Sequence, residues 1–386
     1  MKSNYNQLGQ YIEMVSRTNS DLKYGIEDVR GCSNTKQMMQ TRANLIGRTY
    51  EKFIVLRPQE FVFNRRTTRN GEKIGMAYNN TDREYIFTND YVAFRVKQEY
   101  LDKLLPDYLY LFFCRDEFDR YARYKSTGSA TEFFNWEDMC AVPFEIPPMD
   151  FQQLVVNAYK VLNKRIETKQ KINDNLATQA LTLFSDFVSH LSKKLEQRKL
   201  GDVIASANTG GDAIQKVPIV DYDTGIKCAR VGDITNAREY ASWAFCNASK
   251  SVYDNYKLQA GDILVTRTAT LGITQYIAKD ISAVYNNGLI RLKVNDTNAL
   301  PLYIYWAMKT SDFLNYINQM NSATSVRPNM KIDYLLNYQL SIPSIEEQTQ
   351  FTNTVEPLMN AISLNNDEIL KLSEFQAIIL TTLSSR

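Results

Sequence analysis

Five short segments of this 386-residue sequence occur twice, in the same order. Leu8-Gly9-Gln10-Tyr11-Ile12 returns as Leu200-Gly201-Asp202-Val203-Ile204, and Leu105-Pro106-Asp107-Tyr108-Leu109-Tyr110 as Leu300-Pro301-Leu302-Tyr303-Ile304-Tyr305. Gly128-Ser129-Ala130-Thr131 returns as Asn321-Ser322-Ala323-Thr324, Ile146-Pro147-Pro148 as Ile342-Pro343-Ser344, and Leu181-Thr182-Leu183-Phe184-Ser185 as Leu380-Thr381-Thr382-Leu383-Ser384. The offsets run only from 192 to 199. A period that long is no solenoid repeat. The chain therefore holds two copies of one domain-sized module.

Each copy opens with a mixed part and closes with a helical one. The expected boundaries are 1–149 and 200–343 for the mixed domains, 150–199 for a first long helix with linker, and 344–386 for a second. Phe53-Ile54-Val55-Leu56, Phe61-Val62-Phe63 and Ile263-Leu264-Val265-Thr266 read as strands. Leu105 to Arg123 and Pro301 to Ile317 read as helices with an apolar face. Tyr108, Tyr110, Phe112, Tyr303, Tyr305 and Trp306 lie at helical spacing, which points to core packing. Ser344 with Glu347 has capping-box spacing, and Asp150 with Gln153 is a looser version.

The helical parts carry a 4-3 repeat. The first stripe is Leu154, Ala158, Val161, Ile172, Leu176, Leu183 and Phe187, broken by Arg165 and Thr168. The second is Phe351, Val355, Leu358, Ile362, Ile369, Leu372, Ile379 and Leu383, broken by Asn365. An apolar residue about every 3.5 positions is a coiled-coil seam, with polar breaks that fix register. Pro357 predicts a kink or a late start in the second helix. Residues 151–199 hold nine Lys and Arg against four Asp and Glu, whereas 345–386 hold two against six. Opposite charge favours one helix docking on the other. Two separate surface helices are the plainer alternative. Because the second helix must run back to meet the first, the pairing is expected to be antiparallel. The expected fold class is α+β, with two mixed α/β domains in pseudo-twofold repeat, separated by an antiparallel coiled coil. About 38 residues make a rod of about 57 Å.

Composition removes whole classes of chemistry. The five Cys (32, 114, 140, 228, 246) are scattered and form no Cys-x-x-Cys pair, so neither a disulfide framework nor a cysteine zinc site fits. The one histidine, His190, would have to carry any Ser-His-Asp or His-metal scheme alone. Phosphate-binding Gly motifs are absent. No apolar run is long enough for a membrane span, and no leader peptide is visible at the start, so the expectation is a cytoplasmic binder. No catalytic or metal-ligating residue is assigned.

The candidate contact residues lie at matching places in the two copies. Arg65, Arg66, Thr67, Thr68, Arg69, Asn70 and Lys73 fall in the connection after the Phe61 strand. Arg267, Thr268 and Thr270 follow the Ile263 strand. Arg suits phosphate and the guanine edge, and Asn suits adenine. The plainer reading is a solvated hairpin. Ser129, Thr131, Thr324 and Arg327 sit in small-residue loops able to approach a backbone closely. The formal net charge of +2 is small for a nucleic-acid binder, which requires the positive charge to be local.

At this point the chain resembles the DNA-specificity subunit of type I restriction–modification systems. The residues carrying the resemblance are Ala229-Arg230-Val231-Gly232-Asp233-Ile234, Gly261-Asp262-Ile263-Leu264-Val265-Thr266-Arg267 and Ile342-Pro343-Ser344-Ile345-Glu346-Glu347-Gln348. In the first half they are Thr67-Thr68-Arg69-Asn70-Gly71-Glu72-Lys73-Ile74 and Gly128-Ser129-Ala130. The resemblance implies that each mixed part is a target-recognition domain reading one half of a bipartite double-stranded DNA target, and adds Arg230 to the contact residues. It further implies that the helices form the spacer and dock methyltransferase subunits, expected to be two, with a restriction/translocase subunit beyond them. S-adenosylmethionine, and ATP with Mg, would belong to those partners and not to this chain. One departure stands out: Phe151-Gln152-Gln153 replaces Glu346-Glu347-Gln348, so the first helix entry is less typical. Two rivals remain. A single-chain methylation or restriction enzyme should carry an Asn/Asp-Pro-Pro-Tyr/Phe signature, which is absent. A coiled-coil scaffold binding only proteins is the other.

Overall fold

A strand covered on both faces reads as an unbroken apolar run, and both halves of the chain are built on such strands. The computed structural model describes residues 6–41, 45, 47–67, 73–128, 132–191, 197–210, 217–323 and 329–383, with the side chains of 320–323 set aside. Two units emerge: Met1–Arg165 with Leu372–Arg386, and Ile166–Lys371.

The first unit contains β1 (Ile12–Val15), β2 (Arg30–Cys32), β3 (Met38–Gln40), β4 (Ile54–Leu56), β5 (Phe61–Asn64), β6 (Met76–Tyr78), β7 (Tyr85–Phe87) and β8 (Tyr91–Val96). Its main sheet has the antiparallel order β1-β8-β5-β6, with Phe61 opposite Phe94 and Phe63 opposite Val92. Successive side chains point to opposite faces. Phe61, Phe63 and Phe94 therefore pack on Leu109, Phe112, Phe113 and Phe118, while Val62, Ala77 and Ala93 pack on Leu56 and Phe87. The helices beneath are α1 (Pro106–Phe113), α2 (Asp116–Lys125), α3 (Trp136–Cys140) and the first part of α4 (Met149–Leu191).

The second unit holds the rest of α4, then β9 (Gln197–Lys199), β10 (Ile204–Thr209), β11 (Ile219–Val220), β12 (Lys227–Ala229), α5 (Val231–Thr235), β13 (Phe245–Cys246) and α6 (Lys250–Tyr256). There follow β14 (Ile263–Thr266), β15 (Thr274–Tyr276), β16 (Ala283–Tyr285), β17 (Leu289–Val294), α7 (Pro301–Ala307), α8 (Ser311–Ala323), α9 (Ile332–Leu336), β18 (Gln339–Ser341) and α10 (Ile345–Thr382). Its main sheet has the order β10-β17-β14-β15, the order of the first unit strand for strand. Ile263, Val265, Ile290 and Leu292 face the helices, and Leu264 and Leu289 face a second cluster around Tyr285.

The repeat extends to single hydrogen bonds. Gln152 and Gln348 are both fully buried. Gln152 Oε1 accepts the Leu105 N–H at 2.9 Å, and its Nε2 donates to the carbonyls of Lys103 and Pro147 at 2.7 and 2.8 Å. Gln348 Oε1 accepts the Leu300 N–H at 2.7 Å and its Nε2 donates to the Pro343 carbonyl at 2.9 Å. Each glutamine thus ties the start of a long helix to the residue before a Pro-led helix, α1 or α7. This corrects the aligned register: Gln152, not Gln153, is the counterpart of Gln348, so the first helix entry keeps the glutamine that matters.

Within each unit the two long helices run antiparallel. In the first, Val155 and Val156 share a core with Leu383, flanked by Phe151, Tyr159 and Ile379, and Gln376 donates to Asn163 at 3.0 Å. In the second, Ala180 and Phe184 pack with Phe351 and Val355. There Lys169 meets Glu368 at 2.7 Å and Asn365 at 2.7 Å, and Asn173 exchanges bonds with Asn366 and Asn365 at 2.7 and 2.8 Å. The Asn365 break is thus a polar layer that only one register satisfies.

Several expectations need correction. The second stripe is buried or half-buried throughout. In the first, Leu176 is half-buried and Phe187 packs on Phe351 at 5.3 Å between ring centroids, but the rest of the stripe is rotated outward. Leu154, Ala158, Val161, Ile172 and Leu183 are exposed, and the buried positions are Gln152, Val155, Val156, Ile166, Ala180 and Phe184. Polar Gln152, Lys169 and Asn173 occupy the inward face, so an apolar count chose the wrong one. The helices expected over Leu105–Arg123 and Pro301–Ile317 are each broken in two, at Cys114–Arg115 and Met308–Thr310. Asp150 caps only locally, its Oδ1 accepting the Phe151 N–H, because the helix already starts at Met149. Ser344 and Glu347 do form the reciprocal box. Pro357 causes no late start, since α10 runs through it. His190 is an exposed residue in the last turn of α4 and bonds the Asp186 carbonyl. Tyr108, Phe112, Tyr303 and Trp306 are buried as expected, with Tyr110 and Tyr305 half-buried.

Candidate nucleic-acid interface

The two connections singled out from sequence join antiparallel neighbours at the same edge of equivalent sheets, β5 to β6 and β14 to β15. In the first unit the connection is held at both ends. The Arg65 carbonyl accepts the Phe134 N–H at 2.9 Å, and the buried Thr67 donates from its N–H and its hydroxyl to the Glu132 carbonyl at 3.0 and 3.2 Å. At the far end Lys36, only 4% exposed, donates to the Ile74 carbonyl at 2.8 Å and pairs with the buried Asp119. Asp119 in turn accepts the Ile74 N–H at 3.0 Å. Burial pulls the Lys36 ammonium below its ordinary pKa, against the attraction of Asp119. The side chains of Arg65 and Arg66 are exposed between these anchors. Arg66 lies 3.6 Å from the Asp90 carboxylate in the β7–β8 connection, and Lys73 bonds Asp116 at 3.2 Å. Thr68, Arg69, Asn70, Ser129 and Thr131 lie outside the described residues.

The second unit anchors its connection without a buried ion pair. Arg267 Nε donates to the Met330 carbonyl at 3.1 Å, and its Nη1 donates to the backbone and side-chain oxygens of Asn287 at 3.1 and 3.2 Å. The backbone of Arg267 also bonds Gly288 and Met330. This guanidinium is thus engaged in shaping the site. Thr268 is half-buried and bridges to Asn329, while Thr270 is exposed. Thr324 and Arg327 lie outside the described residues.

Arg230 sits at the β12–α5 junction, where Asp233 closes a capping box. Asp233, 1% exposed, accepts the Arg230 N–H at 3.0 Å, Arg230 Nε at 3.1 Å and Arg238 Nη1 at 3.3 Å. One buried carboxylate therefore aims two arginines. Arg230 lines a recess of about 250 Å³ with Asn286, Asn287 and Gly288. Sequence reasoning missed that Asn-Asn-Gly turn, although Asn-Gly is a strong turn signal between apolar runs. It also missed Lys36 and Asp119, whose partnership no spacing announces. Among the described residues no group of three or more His, Cys, Asp or Glu is placed to hold a metal ion. No described helix is long and apolar enough to cross a membrane.

Residues 33–178 and 192–374 match the sequence profile of the family described as Type I restriction modification DNA specificity domain. Among solved structures, the S subunit of a Type-I restriction-modification system from M. genitalium superposes with a TM-score of 0.51 at 13% identity, over 98% of this chain and 96% of that one. The HsdS subunit from Thermoanaerobacter tengcongensis aligns over 98% and 95% of the two chains at 16% identity, with a TM-score of 0.35. At such identities the first of these is a likeness of fold. No curated protein matches the sequence.

Proposed function

The chain belongs to the type I restriction–modification DNA specificity family, and from that premise we propose that it reads a bipartite double-stranded DNA target, one half through each unit. It is a DNA sequence-recognition subunit of a type I restriction–modification system. The observation that carries the two-part reading is the repetition of one strand order in both units with different polar residues at the same connections. A common frame presents the connections alike, and the residues on them decide what is read.

In this reading Arg65, Arg66, Thr67, Thr68, Arg69, Asn70, Lys73, Ser129 and Thr131 serve one half-site. Arg230, Arg267, Thr268, Thr270, Thr324 and Arg327 serve the other. Exposed Arg65 and Arg66 reach DNA directly, whereas Arg267 acts by holding Asn287 in place. The long antiparallel helices set the spacing between half-sites. Their outward faces carry exposed apolar residues: Leu154, Val161, Phe375 and Ile378 in the first unit, and Ile172, Leu183 and Leu364 in the second. Apolar area left on a helix surface marks a docking site, here for two methyltransferase subunits, with a restriction/translocase subunit further out. The chain itself is non-catalytic and works in the cytoplasm. S-adenosylmethionine, and ATP with Mg, are held by the partners.

The test is a map of methylated adenines in cells carrying the wild-type chain or Arg65→Ala with the host's own methyltransferase. The expected result is a bipartite motif in the wild type and relaxed reading of one half-site in the variant. Equal loss at both half-sites would replace base reading with general electrostatic attraction.

A further inference from the structure

The recess of the second unit has a chemical polarity that narrows what it can recognise. It is bounded by Arg230, Asn286, Asn287 and Gly288, with Val217 and Ile219 beside them. Asn286 Oδ1 accepts the Gly288 N–H at 3.1 Å, and Asn287 Oδ1 accepts Arg267 Nη1 at 3.2 Å. A backbone N–H and a guanidinium can only donate, so each amide oxygen is turned toward its donor with one of its two lone pairs committed, and neither Nδ2 has a partner among the described residues. The carbonyls of the turn are engaged as well. Asn286 O accepts from Leu289, Gly288 O from Arg267, and Asn287 O from the Arg267 side chain. Arg230 spends its Nε on Asp233, and its two Nη groups have no partner among the described residues. Gly288 allows the turn to pack closely on its neighbours: a Cβ there would lie 2.4 Å from Val231 Cγ2 and 2.9 Å from Thr268 Oγ1.

Resting on the reading of this chain as a DNA-recognition subunit, we infer that the Arg230–Asn286–Asn287 recess is a donor-rich site that reads a guanine. In the major groove guanine offers two acceptors, O6 and N7, side by side. Adenine pairs an acceptor with a donor, and cytosine presents a donor. An asparagine whose oxygen is free would favour adenine. Here each amide oxygen is drawn toward Gly288 or Arg267, which leaves Nδ2 as the group without a partner and tilts the pair toward donating. The set also suits a phosphate, which is likewise acceptor-only, so the shared chemistry is an acceptor pair and the two sources must be separated.

The experiment uses the chain in complex with its methyltransferase subunits and a duplex carrying the motif found by methylation mapping. One duplex series replaces each guanine in turn by 7-deazaguanine, which lacks the N7 acceptor. A second series replaces single phosphates by neutral methylphosphonates. The expected result is one guanine, in one half-site, whose deaza replacement weakens binding about tenfold, with that sensitivity abolished in Asn287→Ala. Arg230→Lys should lower the preference for that guanine while leaving the other half-site unchanged. The deaza series needs no variant and so stands even if one misfolds. Binding indifferent to every deaza replacement overturns the inference. So does a loss confined to the methylphosphonate series, which would make the recess a backbone clamp. A complex with no motif at all would overturn the functional reading itself, and the guanine assignment with it.

Discussion

The two units share a sheet order, a Pro-led helix, a buried glutamine and an antiparallel helix pair, yet they differ where they meet solvent. The β7–β8 connection of the first unit contains Asp90, exposed and 3.6 Å from Arg66. At the same place the second unit has Gly288, where no side chain fits. The first unit thus has an acceptor beside a cation, and the second has no side chain at that position, with the Asn286 and Asn287 amides next to it. The difference also runs beneath the surface. The first unit holds its hairpin with a buried Lys36–Asp119 pair, and the second with one arginine bonded to neutral oxygens. A scaffold can be duplicated unchanged while exposed polar groups diverge, because apolar strands and helix entries are held by packing in the core.

The largest test of that contrast is Lys36→Met. It leaves the Asp119 carboxylate buried with only the Ile74 N–H to satisfy it, at an expected cost of about 3–5 kcal/mol in urea unfolding. Adding Asp119→Leu should recover most of the loss, since a matched apolar pair needs no desolvation. A mild effect of Lys36→Met alone would remove the distinction between the anchors.

Next in size is the shared clamp. Gln152→Ala leaves the Leu105 N–H and two carbonyls without their partner, and Gln348→Ala leaves the Leu300 N–H and one carbonyl, and each should cost about 2–3 kcal/mol. Comparable costs sharpen the equivalence of the units, and tolerance at one position breaks it.

The smallest effect is the pH dependence that Lys309 gives the second unit. Lys309 is half-buried, bonded to the Thr274 carbonyl with no carboxylate bonded to it, and desolvation lowers its pKa from 10.5 to about 8. Between those values the unfolded chain binds the proton that the folded chain has released, so stability rises with pH across the window. Thermal unfolding should shift upward by a few degrees, and Lys309→Met should flatten the dependence.

Much of this was legible in one dimension. Two in-order sets of short repeats announced two equivalent frames. The runs at Phe61 and Ile263 announced doubly covered strands, and the 4-3 pattern from Phe351 to Leu383 placed the second seam. The first seam was not legible, because Gln152, Lys169 and Asn173 face inward while Leu154 and Val161 face out. Polar residues in a seam are chosen by partners on another helix, and those partners are distant in sequence. The reading of Arg267 as a direct contact likewise could not see that Met330 and Asn287 engage its donors.

The order of residues thus decided what any segment settles alone: strand periodicity, Pro-led helix starts, the Ser344–Glu347 cap and the doubling of the whole. These depend on neighbours a few positions away. The tertiary structure decided which way amides point, which charges pair out of water and which groups remain unpaired. Asn286 and Asn287 present unpaired Nδ2 donors because Gly288 and Arg267 each engage an amide oxygen. A hydrogen-bonding group presents to a ligand only what its own fold has left unused.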